Sequence, residues 1–153
     1  MENKLLSEIV DNYKEQFELY KQMLNLSVQQ VKLLQDNIED INDLHSILTA
    51  RQVLMDDIIN LNKENKSLQN QLISKLGIKE FVINKLEGLV EEQILKDLEK
   101  IITDISTLLS KINENDKRNE ALIKQGFKKK PDDFKTTSAA KATKAYKKAM
   151  QKE

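Results

Sequence analysis

The chain has 153 residues and zero formal net charge, with 39% hydrophobic and 33% charged residues, no Cys and no Trp. Its three Gly and one Pro, against averages of about 7% and 5%, exclude folds built from many short strands and tight turns. Disulfides and thiolate metal ligands are excluded by composition, and the longest run without Asp, Glu, Lys or Arg, residues 22–31, falls short of the roughly 20 apolar residues of a membrane span.

The first predicted element is a long helix. From residue 6 the apolar positions repeat with 4–3 spacing: Leu6, Tyr13, Tyr20, Ser27, Leu34, Ile41 and Leu48 form one set, and Val10, Phe17, Leu24, Val31 and Ile38 the other. Only Ser27 among these is not apolar. Such a seven-residue repeat predicts a coiled-coil-like seam. The Tyr and Phe side chains make the seam fat, which suits a helix packed on more than one neighbour.

A break is expected at Asp36-Asn37-Ile38-Glu39-Asp40, where capping-type residues precede an acid by three positions. The heptad continues in phase through Ile41 and Leu48, so the pattern leaves both a turn and a kinked helix open. A turn is the preferred reading, because one helix running to residue 76 would be ~110 Å long.

The second segment carries two stripes. One is Ile47, Leu54, Leu61 and Leu68; the other is Leu44, Met55, Ile58, Leu72 and Leu76. Asn62 and Asn65 fall on or beside this apolar face, where a buried Asn would fix register; the preferred reading is that the bundle thins here and both are solvated. Gly77 suits a helix C′ position, and Phe81, Val82, Ile83 and Leu86 predict a short apolar helix against the core. After Gly88 a third long segment carries Leu89, Ile94, Leu95, Leu98, Ile101, Ile102, Ile105, Leu108, Leu109 and Ile112. Its face then turns polar at Asn115, Asp116 and Asn119. The core is expected to end near Ile112 and to resume at Leu122, Ile123 and Phe127, a candidate contact surface. Three segments of about 35 residues predict an all-α fold, an elongated antiparallel bundle of about three long helices.

The zero net charge hides a segregation. Residues 1–127 hold 16 basic and 22 acidic residues, a net of −6, whereas residues 128–153 hold nine Lys and three acids, a net of +6. Gly126 and Pro131 read as a helix stop, so the expected organisation is an acidic helical domain over 1–127 and a Lys-rich tail over 128–153. The tail reads as a linker, then a short Ala/Lys helix from Ser138 whose apolar face includes Tyr146 and Met150. So short a helix is marginal in water, and these two residues are candidates for docking.

Chemistry-bearing patterns are missing. Gly77, Gly88 and Gly126 are too far apart for a phosphate loop. His45 is the single His, so it has no second imidazole for a metal site, and an ordinary half-buried histidine is expected. Asp36, Glu39, Asp40 and Asp43 lack the spacing and the loop Gly of a calcium site. The sequence predicts no catalytic residues, no cofactor, no metal and no enzyme activity. Nine Lys without Arg, and one Tyr for stacking, argue against nucleic acid as the tail's partner. Two sizeable apolar residues argue against membrane.

Several stretches together bear a family likeness. In chain order they are Tyr13-Lys14-Glu15-Gln16-Phe17-Glu18-Leu19-Tyr20-Lys21; Leu33-Leu34-Gln35-Asp36-Asn37-Ile38-Glu39-Asp40-Ile41; Arg51-Gln52-Val53-Leu54 within residues 44–61; Leu76-Gly77-Ile78; and Asn115-Asp116-Lys117-Arg118-Asn119-Glu120-Ala121-Leu122-Ile123-Lys124-Gln125. In order and spacing, over about residues 5–127, they resemble the FlgN family of flagellar export chaperones. The Lys-rich tail departs from the aromatic and apolar continuation common in that family. The resemblance implies a cytoplasmic all-helical chaperone, monomer or homodimer. It would bind the C-terminal helices of hook-associated proteins of the FlgK and FlgL type, keep them unassembled and deliver them to the type III export gate. Leu122, Ile123 and Phe127 are then the candidate client-binding residues, and Tyr146 and Met150 the candidates for docking to client or gate. A homodimeric coiled-coil spacer or adaptor is the alternative, since the seam over residues 6–48 serves it equally well. A nucleic-acid accessory protein acting through the Lys tail is a third.

Overall fold

The computed structural model describes residues 1–36 and 41–129, with side chains through Gln125. The expected tail helix with Tyr146 and Met150, and the seam position Ile38, lie outside the described residues. The fold is all-α. Three long helices, α1 (Glu2–Gln35), α2 (Ile41–Leu76) and α4 (Glu92–Lys129), are joined by connections that include the single-turn α3 (Ile83–Leu86). No described residue is in a strand. The lengths of 34, 36 and 38 residues match the three segments that the periodicity predicts. Helix α4 runs through Gly126 to Lys129, two residues past the expected boundary.

The chain divides into two compact units. One takes Met1–Leu19 and Ile58–Thr107; the other takes Tyr20–Asp57 and the chain from Leu108 onward. Each long helix therefore contributes a stretch to both.

In the first unit Leu5, Leu6, Ile9 and Val10 of α1 bury against Leu72 of α2, Leu86 of α3, and Leu95 and Leu98 of α4. Each Leu fully removed from water contributes about 1.5–3 kcal/mol. Leu86 is completely buried, and Phe81 and Ile83 pack partly beside it, so α3 closes the core as its apolar run predicts. Two polar contacts pin the helices at this level. The Asn3 carboxamide oxygen accepts from the Glu91 backbone N–H at 2.8 Å, satisfying a donor where α4 begins. Asn65 donates to the Ile9 carbonyl at 3.4 Å. The expectation of a solvated Asn65 is therefore corrected: it is buried and ties α2 to the α1 backbone.

Helix α2 stops where Gly77 enters the left-handed region at φ +68. The Gly77 and Ile78 N–H groups both bond back to the Ile73 carbonyl, at 3.0 and 3.2 Å, a left-handed cap that satisfies one of the orphan carbonyls of the last turn.

In the second unit α2 runs back along α1, because Leu33 and Leu34 pack on Leu44 and Leu48. The two helices run antiparallel, and residues 37–40, on which the expected turn falls, lie outside the described residues. The heptad seam thus belongs to two helices: Leu34 is half-buried on α1, whereas Ile41 on α2 is 38% exposed. Pattern continuity across residues 36–41 was coincidence of phase, since a chain that reverses starts a new face.

Gly77→Ala should lower stability by about 1 kcal/mol in urea denaturation. No neighbour lies within 4 Å of the added Cβ, so the cost is the left-handed backbone alone. Leu98→Ala should lose about 2–5 kcal/mol through its cavity.

Candidate functional site

The second unit is built around a polar layer. One apolar cluster of this unit packs the buried Leu44 and Leu48 against Leu33 and Leu34. The next core position along α2 is Arg51, only 7% exposed. Its guanidinium reaches two other helices. Nη1 donates to Gln30 Oε1 at 2.6 Å, Nε contacts the Met23 sulfur at 3.3 Å, and Nη2 donates to Asp116 Oδ2 at 2.7 Å. Met23 and Gln30 lie two turns apart on α1, and Asp116 is on α4. A planar guanidinium with a fork of donors can make these contacts together; a Lys ammonium, a single point charge, cannot.

Ser27 extends the layer. Its hydroxyl donates to the Leu24 carbonyl at 2.7 Å and accepts from Asn115 Nδ2 at 3.1 Å. Asn119 Nδ2 donates to the Ser27 carbonyl at 3.3 Å. The polar stretch of α4, expected to mark the end of the core, therefore faces inward: Asp116 and Asn119 are buried. Asp116 Oδ1 and Asn119 Oδ1 have no hydrogen-bond partner among the described residues.

Energetically this layer is balanced rather than favourable. One cation meets one carboxylate, both side chains 8% exposed, and taking such a pair out of water costs as much as or more than their attraction returns. Leaving either partner alone costs more still.

The predicted contact residues are dispersed in character. Leu122 is half-buried, and its neighbour Ile123 is 9% exposed, turned into the second unit. Phe127 lies on the last turns of α4, its side chain outside the described residues, as are Tyr146 and Met150 entirely. The structure brings Leu122 and Ile123 to one helical turn but to different faces. Ile123 therefore packs inside, and the surface share of this patch falls to Leu122.

The polar layer is what the sequence reading missed. A signal existed: Leu44, Leu48, Arg51, Met55 and Ile58 follow 4–3–4–3 spacing, as do Ile112, Asp116, Asn119 and Ile123 in 4–3–4. A charged residue of each sign occupied a core position on two helices. His45 is exposed rather than half-buried, because it lies one residue past Leu44, off the buried stripe. Asp36 and Asp43 are exposed. No group of three or more metal-ligating side chains occurs among the described residues, and no described helix is long and apolar enough to cross a membrane.

Compared with protein-family models, with curated proteins and with solved structures, the chain matches none.

Arg51→Met should destabilise the protein by about 3–5 kcal/mol, since it strands a buried carboxylate. Val53→Ala, two residues on and 57% exposed, should change stability by less than about 0.5 kcal/mol. Urea midpoints of the two variants check both.

Proposed function

We propose that this protein is an export chaperone of the FlgN type. In this reading it acts in the cytoplasm, covers the C-terminal amphipathic helices of a hook-associated protein and hands the client to a type III export gate. The observation that carries the reading is where the FlgN-like stretches fall. Residues 13–21 lie within α1, residues 44–61 within α2, Leu76-Gly77-Ile78 forms the α2 C-cap, and residues 115–125 lie within α4. Four of the five similar stretches thus occupy helix bodies and a helix end, while the fifth, residues 33–41, crosses residues outside the described ones.

The physics is compatible with the role. A client's unassembled amphipathic helix exposes an apolar face, which is an aggregation hazard. Another helix with an apolar stripe covers it. Leu122, half-buried near the end of α4, is the contact residue whose side chain is accessible. Phe127 is the second, and Tyr146 and Met150 the docking residues of the tail. Ile123 has an internal packing role and supports the helix that presents Leu122.

The test is recovery of partners from the source cell with the full-length protein, its Leu122→Ala variant and a form ending at Lys129. Full-length protein should retain a FlgK- or FlgL-like protein. Leu122→Ala should weaken that complex about tenfold, the worth of a well-packed aliphatic contact. Loss of the partner in the shortened form assigns docking to the tail. Recovery of no hook-associated protein, with the chain sedimenting as a tight homodimer, overturns the proposal in favour of a coiled-coil spacer.

A further inference from the structure

We infer that the Arg51 layer is a partner-selection device: it commits the α1 seam to α2 and α4 of the same chain and bars it from pairing with a second copy. The starting point is an ambiguity the molecule has to resolve. The apolar positions of α1 repeat every seven residues, and such a stripe serves a self-associating coiled coil as readily as an intramolecular bundle. Apolar contacts alone discriminate poorly among these outcomes, because Leu on Leu is acceptable in many registers.

The polar layer does discriminate. Arg51 on α2 finds its two oxygen acceptors on different helices, Gln30 on α1 at 2.6 Å and Asp116 on α4 at 2.7 Å. Ser27 on α1 is met by Asn115 and Asn119 of α4 at 3.1 and 3.3 Å. Sliding α2 by a heptad would bring Leu44 or Ile58 to the place of Arg51, and sliding α4 would bring Leu109 or Ile123 to the place of Asp116. Arg51 and Asp116, each buried, would then be left as unpaired charges in an apolar layer. A parallel pairing of two α1 helices would stack Ser27 on Ser27 and Gln30 near Gln30, with neither the cation nor the carboxylate present. Every competing arrangement therefore strands a charge or wastes the pair, and the penalty falls on the alternatives rather than adding stability to the native one. One buried polar position is known to fix register and strand number in helical assemblies by this logic; here the device is spread over three helices and uses opposite charges.

The test replaces the layer with apolar residues of similar bulk, as Gln30→Leu/Arg51→Leu/Asp116→Leu, in the full-length chain. Mass is measured by light scattering, and the number of backbone-amide cross-peak sets by NMR. The unsubstituted protein should be monomeric with one set of peaks. The triple variant should stay helical, resist urea at least as well, and gain dimers or a second set of peaks. A variant that remains strictly monomeric with one set overturns the inference, and so does an unsubstituted protein that is itself a dimer. Should the triple variant fail to fold, Arg51→Met/Asp116→Leu, which keeps Gln30, is read by the same criteria. Failure of both to fold would make the layer a source of stability rather than of selection, and would overturn the inference too.

Discussion

The second unit depends on one buried ion pair. Arg51 and Asp116 sit where a helical bundle would ordinarily place Leu or Ile, and each satisfies a charge that would otherwise forbid the other's burial. Everything near them follows. Gln30 is inside because Nη1 needs an acceptor; Met23 is inside because its sulfur tolerates the guanidinium edge. Ser27 breaks the apolar seam because α4 approaches with carboxamides at that height. Three helices supply the contacts of this layer.

The two units solve the same packing problem by different chemistry. In the first, Leu, Ile and Val side chains from all four helices fill the interior, the buried Asn65 holds the Ile9 carbonyl, and Asn3 holds the Glu91 N–H. In the second, apolar burial is confined to Leu44, Leu48, Met55, Ile112, Ile123 and their α1 counterparts, and the middle is polar. Apolar packing supplies most of the free energy of folding, whereas directional contacts supply discrimination. A chaperone that covers another protein's amphipathic helix, as proposed, has particular need of that discrimination: its own apolar stripes must find each other before they find copies of themselves.

Much of the fold was legible in the sequence. Periodicity identified three long helices, Gly77 marked the end of α2, and the apolar run from Phe81 to Leu86 announced α3. The candidate contact patch was less legible. Leu122 and Ile123 were read as one surface because both are apolar and adjacent, yet neighbours on a helix point about 100° apart, and only packing decides which one turns inward. Polarity alone points Asn65 to solvent and puts the end of the core before Asp116 and Asn119, yet all three are buried. Polarity sets the cost of burial, but the presence of a partner decides whether that cost is met, and the partners lie some 50 to 90 residues away in sequence.

What the sequence determined by itself is local: the helical period, the scarcity of Gly and Pro that keeps the helices long, the left-handed cap at Gly77, and the segregation of Lys into residues 128–153. What the tertiary structure decided is nonlocal. The antiparallel packing of α1 and α2 split a continuous heptad between two helices, and the meeting of Arg51 with Gln30 and Asp116 brought a buried charge pair and a carboxamide into one layer. The physical reason is range. Backbone propensity and hydrophobic period act over a few residues, whereas a buried charge is permitted or forbidden by whatever the fold brings within about 3 Å of it.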